Sequence, residues 1–368
     1  MSLRLIFVFL LVLSFAHFAF ASSINDDEDT PRIMVSAAER GYVDILDSLI
    51  ARGVAIDIQN VNSYSALSAA SENGRTDLVK FLLSKGADKS HIKPLHHSPM
   101  IIPEIKDDYE APKIYIYCVR YGIIKAASSM INRGVDINSS DSQGNNALTV
   151  AATHGYKDIM ELLLKKGADV NQINGIGQSP AISAIENGGA EGAEFIVRNG
   201  GRLQGNDLEW YTTKMFAIVS GKDAKLDARD QQSEKTVLML PAEKNHANTV
   251  RYLVKRGAKI NAEYSSTRMD HRPFNGSTAL IFALRDKSGT DAAFELIRLK
   301  ASLDNLNNSD ESALLSAVYH AMPDLVVALL NAGANVNRAD SFGKTPYYHA
   351  MMNGNTEIME ILKARGGR

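Results

Sequence analysis

The sequence predicts a mostly α-helical solenoid, in which helix-turn-helix pairs stack on one another and are joined by short polar fingers. The first observation is a recurring glycine that closes a predicted helix. The second is its spacing, which is most often 33 residues, as from Gly134 to Gly167. The third is a helical period of apolar residues in segments too short to be stable alone. The recurring glycines are Gly53, Gly86, Gly134, Gly167, Gly200, Gly257, Gly333 and Gly366.

Residues 144–171 show the repeating unit most clearly. A first helix is predicted over 146–154 and a second over 157–166. Gly155 separates the helices and Gly167 closes the second one, since glycine adopts the positive φ that other residues resist. Two helices of this length cannot bury their apolar faces alone, so the unit needs neighbours of the same shape.

The repeated phrases resemble those of the ankyrin repeat, whose period is also 33 residues. The phrase GADVN follows the second helix of the unit above. Near the C-terminus, Thr345-Pro346-Tyr347-Tyr348-His349-Ala350 is similar to that family's T-P-L-H-x-A. The resemblance covers most of the chain after the first 30 residues. It implies an ankyrin-repeat α-solenoid of about nine to ten repeats, in which short β-hairpin fingers join the helix pairs. Three insertions interrupt the repeats.

The repeats are predicted to fall in two blocks. The first block is 31–202, with an insertion at 89–112, and the second is 236–368, with an insertion at 262–274. Residues 203–235 lie between the blocks and are expected to form a degenerate repeat or a helical insert that bends the stack. In such an array each repeat contacts its neighbours.

Two features of the interrupting segments invite a functional interpretation. His91, His96 and His97 lie in the first insertion, but their spacing matches no familiar metal-ligand motif. A solvated loop is favoured over a metal centre there. Trp210 lies in an apolar helical pattern, and a core residue at the bend is favoured over a binding hot spot.

Residues 1–21 look like a secretory signal peptide. Arg4 precedes an apolar core at 5–15, and Ala19-Phe20-Ala21 has the pattern of a cleavage site. The alternative is an uncleaved anchor, although the apolar stretch is short for a membrane span. Residues 22–30 are acidic, and we expect them to form a flexible lead-in.

Composition and motifs argue against several functions. The formal net charge of -2 gives no general attraction to nucleic acid. Cys118 is the single cysteine, so an intramolecular disulfide is excluded and a buried, inert thiol is expected. Gly343-Lys344-Thr345 resembles the end of a phosphate-binding loop, but Arg338 replaces the first glycine of that motif. We therefore expect no enzyme activity, no cofactor and no metal.

The resemblance implies that a partner protein binds in the concave groove formed by the first helices and the fingers. Arg120, Tyr121, Tyr319 and Phe342 are the strongest candidates, because aromatic residues and arginine most often dominate an interface. From the repeat register, the candidate residues are Tyr64, Glu72, Asn73, Arg120, Tyr121, Gln143, Asn145, Thr153, His154, Ile176, Gln178, Glu186, Asn187, Tyr319, His320, Phe342, Lys344, Met352 and Asn353.

These observations lead to one functional hypothesis and two alternatives. The hypothesis is a non-enzymatic protein-protein interaction scaffold, exported from the cytoplasm and either periplasmic or secreted. We expect a monomer that meets a membrane only through its N-terminal segment, if that segment remains uncleaved. One alternative is a secreted effector that acts on a host protein. The other is a periplasmic regulator or protector of an enzyme. A bacterial origin is inferred from the short signal and the lack of disulfides.

Overall fold

The structure, a computed structural model, describes residues 24–93, 108–141, 144–204, 210–222, 225–285 and 290–368. These ranges contain nine helix pairs and one additional helix, α11, so the predicted α-solenoid of ankyrin repeats is confirmed. The pairs are α1 (Asp29–Glu39) with α2 (Val43–Ala51), α3 (Ala66–Glu72) with α4 (Thr76–Ser84), α5 (Ala111–Arg120) with α6 (Ile124–Asn132), α7 (Ala147–His154) with α8 (Lys157–Lys165), α9 (Pro180–Glu186) with α10 (Ala190–Arg198), α12 (Met239–Glu243) with α13 (Ala247–Lys255), α14 (Ala279–Ala283) with α15 (Asp291–Arg298), α16 (Ala313–Tyr319) with α17 (Pro323–Asn331), and α18 (Pro346–Met352) with α19 (Thr356–Ala364). Helix α11 spans Trp210–Val219.

The glycine that ends each second helix has the predicted conformation. Its φ is 101° at Gly53, 95° at Gly167 and 100° at Gly333. Lys300 stands at the equivalent place in one repeat and also has a positive φ, of 63°. The turn therefore requires the left-handed conformation, which glycine adopts at lowest cost and which Lys300 adopts under strain.

Hydrogen bonds from backbone to side chain join successive fingers at a regular spacing. The amide of Asp169 donates to Asn138 Oδ1 at 3.0 Å, and the amide of Asn335 donates to Asp304 Oδ1 at 3.0 Å. In each case the residues are 31 positions apart. The described fingers contain isolated β-bridges, such as Ser140 with Asn146, in place of the expected hairpin strands.

The chain divides into two compact units. The first comprises residues 1–151 and 156–176, and the second comprises 152–155 and 177–368. Each unit has a core of small and aliphatic residues that recur with the helical period. Each buried Leu or Ile contributes roughly 2 kcal/mol to the free energy of unfolding.

In the first unit, the spatial order of the repeats differs from their order along the chain. Helix α1 packs against α3 of the second repeat and also against α5 of the third repeat. Helix α2 packs against α6 of the third repeat. The first repeat therefore lies between the second and the third. The second and third repeats, which are neighbours in the sequence, are thus separated by the first.

The junction between the first and second repeats has the usual parallel geometry. Arg75 Nε, just after α3, donates to the carbonyl of Glu39 at the end of α1, at 3.2 Å. The hydroxyl of Tyr156 makes an equivalent bond from the fourth repeat to the carbonyl of Arg120 in the third, at 3.3 Å. Both bonds join residues 36 positions apart, so these two junctions are of one type.

The junction between the first and third repeats is antiparallel. Arg40, which follows α1, pairs with Asp108, which precedes α5. At the other end, Thr30 near the start of α1 hydrogen-bonds the hydroxyl of Tyr117 near the end of α5. The start of one helix thus lies beside the end of the other, and the two repeats meet face to face.

The first insertion is long enough to permit this order. An extended chain from residue 93 to residue 108 spans roughly 50 Å, whereas packed helices are about 10 Å apart. The chain can therefore pass the first repeat on its way from the second repeat to the third.

Of the lead-in expected at 22–30, the structure describes residues 24–30. Ile24 is fully buried. Asn25 Nδ2 donates to the carbonyl of Gly53 at 2.9 Å, and Asn25 Oδ1 accepts the amide of Ala55 at 2.8 Å. Asp27 accepts a hydrogen bond from the hydroxyl of Tyr121. Composition suggested disorder, but these residues pack against the repeats on either side of them.

The second unit stacks in chain order. Helix α10 packs on α13, α13 on α15, α15 on α17, and α17 on α19. Helix α11 lies against both α9 and α10 as a single helix in the segment that interrupts the pairs. The side chain of Trp210 lies outside the described side chains, so its expected place in the core stays a prediction.

Candidate protein-binding surface

Exposed aromatic and methionine side chains lie together on the last two repeats. Phe342 in the last finger is 81% exposed, Met352 on α18 is 65% exposed, and Tyr319 at the end of α16 is 43% exposed. The rings of Tyr348 and His349 contact each other edge to face with centroids 5.8 Å apart, and His349 also contacts Tyr319. We call this region the terminal aromatic surface, and it consists of Tyr319, Phe342, Lys344, Tyr348, His349 and Met352.

The two helices under this surface begin with side-chain caps. Ser312 Oγ accepts the amide of Leu315 at 3.2 Å, and Thr345 Oγ1 accepts the amide of Tyr348 at 3.3 Å. Pro346 occupies the first turn of α18, where its fixed φ suits the helix and its missing N–H costs nothing. The Thr-Pro phrase thus sets where α18 starts.

Asp340 organises the last finger. Its Oδ1 accepts the amides of Phe342 and Lys344, each at 2.9 Å, and its Oδ2 lies 2.9 Å from His349 Nε2. Gly343 supplies the positive φ, 73°, that this tight turn needs. Burial alone would raise the pKa of Asp340, but these hydrogen bonds hold it below its ordinary value. The ionised carboxylate therefore fixes the turn that presents Phe342.

His349 connects the finger to the preceding repeat. Its Nε2 lies 3.3 Å from the hydroxyl of Tyr319, and the two ring centroids are 4.9 Å apart in an edge-to-face arrangement. Burial, with Asp340 and Glu311 nearby, raises the pKa of Tyr319, so its hydroxyl stays protonated at neutral pH. The aromatic side chains are thus held by polar contacts on one side and face solvent on the other.

Lys344 places a positive charge beside two of these rings. Its Nζ lies 5.8 Å from the ring centroid of Phe342 and 5.4 Å from that of Tyr348. These are cation–π distances. The surface therefore offers apolar area and a positive charge together, which suits an apolar anchor flanked by an acidic group.

The other pair of favoured candidates, Arg120 and Tyr121, is held within the first unit. Arg120 Nη2 donates to Asp141 Oδ2 at 3.1 Å. Tyr121 is buried and donates its hydroxyl to Asp27. Tyr121 is therefore part of the core between the first and third repeats, and not an exposed groove residue.

Several polar candidates stabilise their own helices. Asn73 Nδ2 donates to the carbonyl of Ala69 at 2.9 Å, and Asn187 Nδ2 donates to the carbonyl of Ser183 at 2.8 Å. Each carbonyl also accepts the backbone amide of the same asparagine, at 3.1 Å, so the side chain adds a second hydrogen bond at the end of a first helix. These asparagines recur for a structural reason, although their side chains border the surface.

The remaining candidates are dispersed. Glu186 is part-buried and accepts a hydrogen bond from Thr212 of α11 at 3.2 Å. Gln143 lies outside the described residues. Those that are exposed are His154, Ile176 and Asn353, and those of intermediate exposure are Tyr64, Glu72, Asn145, Thr153, Gln178 and His320.

Sequence reasoning missed the contribution of Asp340, Tyr348 and His349. The signal was present, because Tyr348 and His349 lie within the phrase used to recognise the repeat. The phrase identified a helix start and gave no sign that its histidine reaches a carboxylate nine positions earlier.

The described residues were compared with the arrangements that hold a metal ion. No cluster of three or more His, Cys, Asp or Glu side chains suits a metal ion in that part of the chain. His96 and His97 lie outside it. Cys118 is buried as expected, and burial raises the pKa of its thiol to about 12, so it is unreactive at neutral pH. None of the described helices has the length and apolar character that a membrane span requires.

Comparison with known families agrees with the fold. The family model described as "Ankyrin repeats (3 copies)" matches residues 7–98, 115–207 and 287–367. A second model, "Ankyrin repeat", matches residues 233–264. Together these matches cover most of the chain.

Curated relatives contain similar repeats in larger proteins. The Caenorhabditis elegans "Ankyrin repeat and KH domain-containing protein mask-1" is 26% identical over 81% of this chain and 11% of its own length. The human "Transient receptor potential cation channel subfamily A member 1" is 24% identical over 93% of this chain and 28% of its own length. An L-asparaginase of Dirofilaria immitis is 25% identical over 41% of this chain and 28% of its own length. The chain thus spans less than a third of each of these relatives.

Among solved structures, the human ASB11 ankyrin repeat domain is similar, with a TM-score of 0.35 and 19% sequence identity. The match covers 69% of this chain and 98% of that domain.

Proposed function

The chain belongs to the ankyrin-repeat family, and from this premise we propose that it is a non-enzymatic scaffold that binds a partner protein on the terminal aromatic surface. Ankyrin repeats generally mediate binding to other proteins, and they are typically interaction modules without enzymatic activity. The proposal extends this general role to a particular surface of the second unit.

The exposure of Phe342 is the observation that carries the proposal. A large aromatic side chain that is 81% exposed leaves apolar area in water, and covering this area on binding is favourable. The hydrogen bonds from the amides of Phe342 and Lys344 to Asp340 fix the turn that carries this side chain before any partner arrives. Little conformational entropy is then lost on association, which favours binding.

The chemistry of the surface indicates the kind of partner segment. Tyr319, Tyr348 and Met352 supply aromatic and thioether faces for an apolar anchor. Lys344 supplies a positive charge next to them. We propose that the partner presents an apolar side chain followed closely by Asp or Glu.

We propose further that the protein acts outside the cytoplasm, in the periplasm or after secretion. This part rests on the signal-like sequence of residues 1–21, which lie outside the described residues. Replacing Leu10 and Leu11 by arginine should keep the protein in the cytoplasm of the producing cell, because the apolar core of a signal is then interrupted. Cell fractionation with immunodetection measures this, and an unchanged distribution would count against export.

The binding proposal is tested by quantitative capture from the native compartment. The wild-type protein, the double variant Tyr319→Ala/Phe342→Ala and the control Val61→Ala are immobilised separately. Val61 is a fully exposed apolar residue between α2 and α3, so the control removes exposed apolar area elsewhere. A partner should bind the wild type and the control equally, and the double variant about 30-fold more weakly.

The affinity is then measured by calorimetry with the purified partner. A partner that binds all three proteins alike would show that the terminal aromatic surface is not the binding site. The scaffold role itself would fail if no captured protein bound the purified wild-type chain directly.

A further inference from the structure

A cavity of about 200 Å³ lies at the face-to-face junction of the first and third repeats. It shares no residue with the terminal aromatic surface, and of the predicted groove candidates only Arg120 lines it. Both repeats contribute to it, because α1 forms one wall and α5 the other. The lining residues are Asp29, Arg32, Ile33, Lys113, Ile116, Tyr117, Arg120 and Asp141.

The floor of the cavity is apolar. Ile33, Ile116 and Tyr117 are all nearly fully buried. The hydroxyl of Tyr117 is already used, because it hydrogen-bonds Thr30. A ligand in the cavity would therefore meet aliphatic side chains and the ring of Tyr117 at its inner end.

The walls carry charges of both signs. Arg32 Nη2 lies 2.8 Å from Asp29 Oδ1, and Arg120 Nη2 lies 3.1 Å from Asp141 Oδ2. Lys113 Nζ lies 2.7 Å from Glu110 Oε1, a carboxylate just beyond the lining. The cations Arg32, Lys113 and Arg120 are therefore matched by the carboxylates of Asp29, Asp141 and Glu110. A ligand with a net charge would add an unpaired charge to this half-buried cavity, which is unfavourable.

Each wall retains capacity for a further polar contact. A guanidinium carries five N–H donors, and Arg120 uses Nη2 for Asp141, which leaves other donors for a ligand carboxylate. Asp29 is about half exposed, and its carboxylate has acceptor sites beyond the bond from Arg32. The two groups come from opposite walls of the cavity, so a ligand that contacts both would span it.

We propose that this cavity binds a free aliphatic α-amino acid. The ligand carboxylate contacts Arg120, the ligand ammonium contacts Asp29, and the aliphatic side chain rests on Ile33, Ile116 and Tyr117. A zwitterion preserves the charge balance of the walls. The volume equals that of roughly seven water molecules, which suits a ligand of this size.

The position of the cavity gives binding a structural consequence. Asp29 precedes the body of α1 and Arg120 ends α5, so a bound amino acid bridges the first and third repeats. Binding to the folded chain stabilises it by mass action. We therefore expect the ligand to raise the unfolding temperature of the first unit, where this junction lies.

The test uses the full chain with leucine, N-acetylleucine and leucine amide. Isothermal titration calorimetry should show binding of leucine. N-Acetylleucine, which lacks the ammonium, and leucine amide, which lacks the carboxylate, should each bind at least tenfold more weakly. N-Acetylleucine resembles the C-terminal residue of a peptide, and leucine amide resembles the N-terminal residue. Their affinities therefore show whether the cavity prefers a free amino acid or the end of a peptide, without any change to the protein.

Two variants and a matched control locate the site. Arg120→Gln and Asp29→Asn should each weaken leucine binding at least tenfold. Arg133→Gln should leave it unchanged, because Arg133 pairs with Asp44 at 2.6 Å across the same junction but outside the cavity.

Three results would overturn the proposal. One is the absence of leucine binding to the wild type at millimolar concentration. Another is equal binding of leucine and either derivative. The third is equal weakening by Arg133→Gln, which would show that the variants act through the junction and not through the cavity.

Discussion

Arg40 Nη2 donates to Asp108 Oδ1 at 2.7 Å, although the two residues are 68 positions apart. Their side chains are only 8% and 0% exposed, so this pair is buried between the first and third repeats. Burial alone would raise the pKa of Asp108, but hydrogen bonds from Arg40 and from the amide of Glu110 hold it below its ordinary value. The pair therefore fixes the antiparallel junction in its ionised form.

Removing one partner of this pair should destabilise the first unit. In Arg40→Gln the carboxylate of Asp108 stays buried without its cation, which costs about 3 kcal/mol. Urea unfolding followed by circular dichroism measures the change. The control Lys80→Gln removes an exposed ion pair with Asp77, 3.9 Å apart, and should change stability little. Equal effects of the two variants would show that Arg40 is not buried against Asp108.

The order of the first three repeats can be tested by cross-linking. Ser129 Oγ on α6 donates to a carboxylate oxygen of Asp44 on α2. With Cys118 replaced by alanine, cysteines at positions 44 and 129 should be joined efficiently by a short bifunctional maleimide, as judged by electrophoretic mobility and peptide mapping. Cysteines at 84 and 129 should not, because Ser84 belongs to the second repeat, on the other side of the first. The reverse result would indicate stacking in chain order.

Gly192 is required by close packing within the second unit. A Cβ at this position would lie 1.9 Å from the carbonyl oxygen of Ala152. Gly192→Ala should therefore cost about 3 kcal/mol, although alanine favours a helix more than glycine does.

Gly155→Ala is the comparison for that variant. Nothing lies within 4 Å of an added Cβ there, and the only penalty comes from a φ of 70°. It should cost about 1 kcal/mol, measured by thermal unfolding of both variants. A smaller loss in Gly192→Ala than in Gly155→Ala would contradict the close contact.

Stability of the second unit should fall in acid because of Glu295. Hydrogen bonds from Arg298, and also from Arg251, lower the pKa of Glu295 to about 2, against the opposing effect of burial. A depressed folded-state pKa contributes stability above the unfolded-state value, and this contribution is lost as pH falls from about 5 to about 2.

Glu295→Gln should flatten that dependence. Urea midpoints measured across the range should decline less in the variant than in the wild type. Glu360→Gln is the control, because Glu360 is exposed on α19. An unchanged slope in Glu295→Gln would mean that the ion pairs with Arg251 and Arg298 contribute no pH-dependent stability.

Asp340 should matter for binding although it lies behind the surface. In Asp340→Ala the amides of Phe342 and Lys344 lose their acceptor, so the finger should exchange amide hydrogens faster and bind the partner at least tenfold more weakly. Hydrogen exchange with mass spectrometry and calorimetry measure these effects. Arg338→Gln, at an exposed position in the same finger, should alter neither measurement substantially. Normal affinity together with fast exchange would show that a preformed turn is unnecessary.

The terminal aromatic surface was only partly predictable from the sequence. Tyr319, Phe342, Lys344 and Met352 followed from the repeat register, because that register assigns each position a place on the helix or finger. The link from Asp340 through His349 to Tyr319 did not follow. It depends on how close the last finger lies to α18, and the spacing of residues in the sequence does not predict that distance.

The sequence by itself determined the helix pairs, their closing glycines and their boundaries. These features depend on local sequence, because the helical period of apolar residues, a Thr-Pro pair at a helix start and a glycine with positive φ each act over a few residues. Only the tertiary structure decided that the first repeat lies between the second and the third. That choice depends on contacts such as Arg40 with Asp108 and Thr30 with Tyr117, between residues far apart in sequence. An insertion long enough to pass a repeat leaves both orders sterically open, and the complementary faces of α1 and α5 select one of them.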